Sequence, residues 1–540
     1  MLKKAKKILC AALVLCMILS MFIGVSAEPE KTSKVKNVIL FITDGTSLTH
    51  VTAARWYQGG QALALDETLC GLVRTYGSDS LITDSAPAAT AMATGFKSHT
   101  GFISVLPDVS NMPLLDPVAP GDARKPVATV LEGARLEGKA TGLVTTCEIM
   151  HATPAAFSSH DESRKDYDDI GEQQVYQEME VVLSGGSKFM TAEVRKDKED
   201  MVAALKGMGY SYITTKDEME AQKSGKVWGL FAEADIAYDF DRDALKVPSL
   251  SEMTGKAIDL LSEDKDGFFL MVEGSKVDWA SHANEPVGVI SEVLSFDKAV
   301  KVALDFAKEN KDTLVIITAD HGNGGMSIGS AATNKGYDET PYAAVFDPLK
   351  KAKLTEVGAE KMLDADKTNI VEVAQKYLGI DDLTEEEIAA IKAAKVPAEA
   401  FGLAMSKRSK IGWTTTGHEG EDVILGIYTP DNKERLTGLV QNTDLAGYMA
   451  ASMGFDMEEL NKALIVNAAK AFEAKGAKVV LNKDLAPNLE LTVTKGNDKL
   501  IFYVNKNVVL HNGVIKKMPG VAIHNGIDFY VPQYGIDIIK

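Results

Sequence analysis

"FFLMVEGSKVDWASH", residues Phe268 to His282, opens with five apolar side chains and then offers Glu273, Asp278 and His282, three side chains suited to cations. A strand with one wet face would alternate apolar and polar residues. A continuous apolar run reads instead as a strand covered on both faces, the pattern of parallel sheets. Glu273 falls at its carboxyl end, and Asp278 and His282 are spaced i, i+4, so they share one face of a helix turn. The same design recurs three times. Val38-Ile39-Leu40-Phe41-Ile42 leads to Asp44, Gly142-Leu143-Val144 leads through Thr145 to the His151–Thr153 loop, and Leu314-Val315-Ile316-Ile317 leads to Asp320-His321. Helical patterns such as Val127–Glu137 and Ser251–Leu261 separate these runs. The expected fold class is α/β, a mostly parallel sheet sandwiched by helices. Ligands in such sheets bind outside the carboxyl ends of the strands, so polar groups from four strand ends should meet in one place.

The first 27 residues read as a signal peptide outside the fold. Lys3, Lys4, Lys6 and Lys7 precede an apolar run from Ile8 to Val25, and Val25-Ser26-Ala27 has the small residues of a cleavage site. The second reading of this run is an uncleaved anchor. No later stretch is comparable, so the expected mature chain carries no transmembrane segment and is exported: secreted, at the cell surface or periplasmic. Cleavage near Ala27 removes four lysines and no acids, taking the formal charge from −18 to −22. So acidic a surface argues against nucleic-acid binding and against anionic membranes. Two cysteines remain, Cys70 and Cys147, too few for a disulfide framework and expected as buried thiols.

Residues 28–474 are expected to form the catalytic domain, with insertions at about 160–250 and 325–412. The second insertion holds a helix opened by the capping box Thr384–Glu387 and closed before Val396-Pro397. After about residue 475 apolar and polar residues alternate, and Asn512-Gly513 and Asn525-Gly526 are hairpin turn signals. Residues 475–540 are therefore expected as a small all-β appendage, similar to stalk modules of some exported bacterial proteins. His511 and His524 precede the two turns and read as turn residues rather than ligands.

"LITDSAPAATAMATG", Leu81 to Gly95, reads as a helix with Asp84-Ser85 at its start, Pro87 in the first turn and Gly95 at its stop. On its own this is an ordinary capped alanine helix. Beside it stand "EGSKVDWASHANEP", "ITADHGN" and "WTTTGHEGED", which add Glu273, Asp278, His282, Asp320, His321 and His418. With Asp44 they make three histidines and four carboxylates at strand ends or in loops of one sheet edge, the donor types that divalent metals take.

At these motifs the chain resembles the alkaline phosphatases. The match covers most of residues 35 to 450 in order: Asp44-Gly45, "TDSAPAATAMATG", "HATPAAFSSHDESR" from His151 to Arg164, "EGSKVDWASH", "TADHG" and His418. The resemblance implies a doubly wound α/β sandwich that hydrolyses phosphate monoesters with two Zn2+ and a third ion, usually Mg2+. It implies one zinc on Asp278, His282 and His418, a second on Asp44, Asp320 and His321, and the third ion on Asp44, Thr153 and Glu273. Ser85 falls at the nucleophile position and Arg164 at the phosphate-binding arginine. Relatives of this kind are often homodimers, so the resemblance allows a homodimer here, although the sequence marks no dimer contacts. The chemistry asks for the same residue types. Metal coordination activates a serine hydroxyl, a helix N-terminus suits a phosphate, and an arginine fork matches two phosphoryl oxygens. Small residues behind Ser85 let its helix pack close beneath the ions.

Two positions depart from the family pattern. Some relatives have aspartate where this chain has His151 and lysine where it has Trp279. A histidine there serves either as a hydrogen-bonding neighbour or as a direct ligand favouring a transition metal over magnesium. Cys147 lies close by and reads as a packed thiol. Glu419, after His418, is left either as a bonded neighbour of the site or as a solvated side chain. Among rivals, a sulfatase needs arginine four residues after its nucleophile, where this chain has Ala89. A phosphodiesterase of the same superfamily and a cell-surface binding protein with a vestigial metal site are the remaining alternatives.

Overall fold

The computed structural model describes residues 35–430 and 434–540; the leader read at 1–27 lies outside them. The five apolar residues of the Val38–Ile42 run are all fully buried within strand β1 (Asn37–Thr43). Val38, Leu40 and Ile42 face one apolar cluster, and Ile39 and Phe41 face another. Alternation of the pleat places successive side chains on opposite faces, so a run without polar breaks needs cover on both sides. Each fully buried side chain of this kind contributes about 1.5–3 kcal/mol.

In chain order the central sheet comprises β1, β2 (Leu69–Arg74), β3 (Ala140–Glu148), β4 (Val181–Gly185), β5 (Ser211–Ile213), β6 (Val227–Leu230), β7 (Phe268–Gly274), β8 (Thr313–Thr318), β9 (Val423–Tyr428) and β10 (Gly438–Gln441). Their spatial order is β10-β2-β9-β8-β1-β7-β3-β4-β6-β5. Neighbours pair in parallel except around β9, which runs antiparallel to both β2 and β8. The four runs read from sequence are the adjacent strands β8, β1, β7 and β3, so their carboxyl ends lie side by side at mid-sheet.

Residues 160–250, read as an insertion, supply β4, β5 and β6 to this same sheet. Strands of three to five residues between charged stretches leave little periodic signal, which is why they escaped the sequence reading. The second region adds no central strand. Its helices include Glu385–Ala393, with Thr384 accepting from the Glu387 N–H as the capping box requires, and Pro397–Ser409. The helix expected at Val127–Glu137 runs Val130–Leu136, begun by the capping box of Thr129 and Glu132.

Past the central sheet, five strands from Lys478 to Lys517 form an antiparallel meander in chain order. Asn512-Gly513 makes a two-residue hairpin with His511 opposite Val514, both turn residues having positive φ. Asn525-Gly526 instead opens a four-residue loop, because His524 pairs with Phe529. There the Asn525 side chain accepts from the Ile527 and Asp528 N–H groups. The apolar cluster of this region extends back to Ala468 and Phe472, on a helix preceding residue 475. Among the described residues Cys70 and Cys147 are free thiols; Cys147 is buried as expected, whereas Cys70, on the edge-side strand β2, is only half-buried.

Candidate metal centre and nucleophile

Strand ends and the short segments after them deliver the site. β1 runs into Asp44-Gly45, β7 into Glu273 and the helix Lys276–His282, and β8 into Asp320-His321. His418 sits in a two-residue strand opposite Asn323. Gly45 is obligatory here. Its φ is +70°, and an added Cβ would lie 2.5 Å from Asp278 Cα. Its N–H donates to Asp320 Oδ1 at 3.0 Å, so one glycine allows β1, β7 and β8 to bring three carboxylates together.

Two groups of side chains that could hold a metal ion result: Asp278, His282 and His418, and Asp44, Asp320 and His321. In each, one ligand atom per residue lies within 4.8 Å of the others. The imidazoles are aimed by their outer nitrogens. His282 Nδ1 lies 2.7 Å from the Thr416 carbonyl, His418 Nδ1 2.8 Å from that of Thr83, and His321 Nδ1 3.3 Å from that of Gly322. A carbonyl can only accept, so each Nδ1 carries the proton and each Nε2 turns a lone pair inward. Those Nε2 atoms lie 3.2–3.6 Å from Asp278, Asp44 and Asp320 oxygens. Lone pairs facing carboxylate oxygens repel unless a cation stands between them or the imidazole takes up a second proton, as His282 does in donating to Asp278.

Carboxylate electrostatics agree. Both oxygens of Asp44 and Oδ2 of Asp320 are buried without a partner. Burial, then the charges of Asp320, Asp278 and Glu273, raise the Asp44 carboxyl well above its usual range. For Asp278 burial works in the same direction, but the hydrogen bond from His282 and the fields of three histidines outweigh it and hold that carboxyl low. Four acids crowded this closely cost several kcal/mol unless cations compensate them. The donor set therefore fits divalent ions.

Ser85 is the first residue of the helix Ser85–Thr94, all ten of whose residues are buried, with Gly95 in the left-handed region closing it. Its Oγ lies 3.1 Å from His321 Nε2. The nucleophile position and both histidine–carboxylate groups thus occupy one site. Arg164 follows the helix Ala152–Ser158, and both terminal nitrogens of its guanidinium are engaged. Nη1 donates to Asp84, and Nη2 lies 3.1 Å from His151 Nε2. Asp84 also accepts from the Gly101 N–H. Sequence reasoning noted Asp84 only as Ser85's neighbour and did not foresee this role.

Around Glu273 the third group forms. Cys147, His151 and Glu273 bring ligand atoms within 4.8 Å of one another. Thr153 Oγ1, Glu273 Oε1 and His151 Nδ1 are buried without partners. Burial, foremost, raises Glu273 to about 7 and lowers His151 to about 4. Trp279 meets the His151 ring edge-on at 5.9 Å, and the Lys276 ammonium, paired with Asp235, lies 4.8 Å from the Trp279 ring centre. Glu419, left open by the sequence, accepts from Ser47 Oγ at 2.5 Å. Asn323, which was missed, donates to Asp278 Oδ1 at 2.6 Å; its only signal was its place two residues after His321. His511 lies 3.0 Å from Asp498 and His524 beside Phe529. Among the described residues neither joins a metal-binding group.

Residues 35–455 match the family model for alkaline phosphatase. The chain belongs to the alkaline phosphatase family. It is similar to alkaline phosphatase 4 of Bacillus subtilis, 38% identical over 442 residues, covering 78% of this chain and 89% of that protein. It is also similar to the repressible alkaline phosphatase of Saccharomyces cerevisiae, 32% identical over 84% of this chain and 87% of that one. Among solved structures, the Thermus thermophilus alkaline phosphatase superimposes with a TM-score of 0.70 at 28% identity, covering 80% of this chain and 94% of that one. The family is metal-dependent and acts on phosphate monoesters, and this chain is a hydrolase of that family. Among the described residues no helix is long and apolar enough to cross a membrane.

Proposed function

We propose that this chain is an exported phosphate monoesterase that works through a phosphoserine on Ser85, with two zinc ions and a third ion at its site. The observation that carries this reading is the 3.1 Å approach of Ser85 Oγ to His321 Nε2. It brings one hydroxyl to the edge of two complete histidine–carboxylate groups. Asp278, His282 and His418 would hold one zinc, Asp44, Asp320 and His321 the other, and Asp44, Thr153 and Glu273 the third ion. When bound, such ions neutralise the carboxylates and stabilise the attacking and leaving oxygens of an in-line displacement.

The chain's own residues do the rest. The Ser85–Thr94 helix turns its unpaired N–H groups and positive dipole end toward an incoming phosphate. Arg164, braced by Asp84, offers two parallel N–H donors to the phosphoryl oxygens. Ser85 attacks phosphorus as its hydroxyl proton passes to solvent, the P–O bond breaks and the leaving alkoxide takes a proton from water. A second water, itself deprotonated, then attacks the phosphoserine, releasing phosphate and returning a proton to Ser85. Alkaline conditions favour both deprotonations.

The test combines metal analysis of the purified mature protein with turnover of a monoester and a diester sharing one leaving group. At least two zinc ions per chain, monoester turnover lost on chelation and restored by zinc, and slower diester turnover are expected. Faster diester turnover would make the chain a phosphodiesterase. Activity unmoved by complete chelation would overturn the metal reading, and a metal-free, inactive chain would favour the binding-protein alternative.

A further inference from the structure

The thiol of Cys147 has the wrong neighbours for a packing residue. It is fully buried yet belongs to none of the apolar clusters of the described residues. Its Sγ lies 3.2 Å from Thr145 Oγ1 and donates to Glu273 Oε2 at 3.4 Å. Its N–H reaches Thr145 Oγ1 and Ser275 Oγ, both at 3.2 Å, and Thr145 Oγ1 lies 3.0 Å from Ser184 Oγ. A small apolar side chain would satisfy packing at that position without placing sulfur in a polar shell. The other oxygen of Glu273 is buried without a partner, as are Thr153 Oγ1 and His151 Nδ1. Sulfur, imidazole nitrogen and carboxylate oxygen are gathered within 4.8 Å.

We propose that Cys147, with His151 and Glu273, makes the third cation site a thiolate site that takes zinc or another borderline transition ion in place of magnesium. The inference rests on the reading of this region as a metal centre and deepens it by naming a ligand and the ion class. Magnesium demands oxygen donors and holds its waters tightly, whereas thiolate and imidazole suit zinc and cobalt. On binding, the Cys147 S–H proton leaves to solvent, the S–metal bond replaces its hydrogen bond to Glu273, and His151 frees Nδ1 by moving its proton to Nε2, giving up the bond from Arg164 Nη2.

Cobalt(II) serves as the probe, because a thiolate–cobalt bond gives an intense near-ultraviolet charge-transfer absorption that oxygen and nitrogen ligands do not. The full mature chain is stripped by chelation and titrated with cobalt, with bound ions counted by equilibrium dialysis. Three ions per chain and the charge-transfer band are expected. Cys147→Ser should lose the band while keeping the first two ions, and Cys70→Ser should keep it. Zinc affinity at the third site should fall at least about tenfold in Cys147→Ser. Cys147→Ala serves as a second variant should the serine form fold poorly, and the unsubstituted chain alone is decisive. Cobalt bound without the band, a band that survives Cys147→Ser, or only two ions bound overturns the thiolate site while leaving the two-zinc reading in place. No cobalt bound at all overturns both.

Discussion

Three imidazoles have their outer nitrogens held by the carbonyls of Thr83, Thr416 and Gly322, the arrangement that the proposed ligation through Nε2 requires. Such backbone acceptors leave the Nε2 lone pairs nowhere to point but inward, so the binding energy is not spent on choosing a tautomer. At this scale Ser85→Ala should reduce monoester turnover by on the order of 10³-fold or more with the fold intact, measured as kcat alongside an unchanged melting curve. In the proposed mechanism Asp84 acts on phosphate through Arg164, to which it is hydrogen-bonded. Asp84→Ala should loosen the guanidinium and raise the inhibition constant of inorganic phosphate by about tenfold, the equivalent of one charge-assisted hydrogen bond. A competitive inhibition series checks it, and an unchanged constant would mean that Arg164 is positioned by other contacts.

At the scale of elements, the site depends on turns as much as on strands. Gly45→Ala would drive a methyl group into the backbone of Asp278, displacing the acid shared by the His282 and His418 contacts. Zinc affinity should drop by about 10- to 100-fold, read by dialysis against a competing chelator. A second prediction concerns the buried pair Glu132–His160, 3.2 Å apart at the base of the helix Val130–Leu136. Burial opposes both charges, but their mutual attraction and hydrogen bonds prevail, holding Glu132 at about 2 and raising His160 above 6.5. A lowered carboxyl stabilises above its unfolded value near 4.5 and loses that contribution as pH falls toward 2. A raised imidazole stabilises below 6.5 and loses its contribution as pH rises through the folded value. The pair therefore contributes fully between about pH 4.5 and 6.5. Glu132→Gln should lower stability by about 3–5 kcal/mol near pH 5.5 and by clearly less once pH has risen above the raised folded value of His160, where the imidazole loses its charge. Thermal melts at the two pH values decide it; an equal penalty at both would show that the pair is not ionised. The Val130–Leu136 helix was legible in sequence from its apolar spacing, but this pair was not, because Glu132 and His160 lie 28 residues apart on segments that only packing brings together.

Over the whole molecule, the C-terminal strands hold the segment that carries Arg164. Asn505 donates to Asp169 and Glu172, Lys506 pairs with Glu172 and Glu199, and Arg135 donates to the Pro519 carbonyl. Asp169 and Glu172 lie on the helix Tyr167–Tyr176, which begins three residues after Arg164. Ending the chain at Lys475 should therefore lower Tm by several degrees and raise KM for monoesters, with kcat much less affected. Full KM and full Tm in the truncated chain would reduce those strands to an independent attachment.

Continuous apolar runs ending in acids and histidines determined, by themselves, a covered parallel sheet and the side chains of its edge, since a strand buried on both faces leaves an unbroken trace in sequence and its carboxyl end is where ligands bind. The short strands β4, β5 and β6, the bracing of Arg164 by Asp84, the carbonyls that aim the histidines, and the polar shell around Cys147 were decided only by the tertiary structure. Each depends on the distance between groups far apart along the chain, and side-chain periodicity carries no record of that distance.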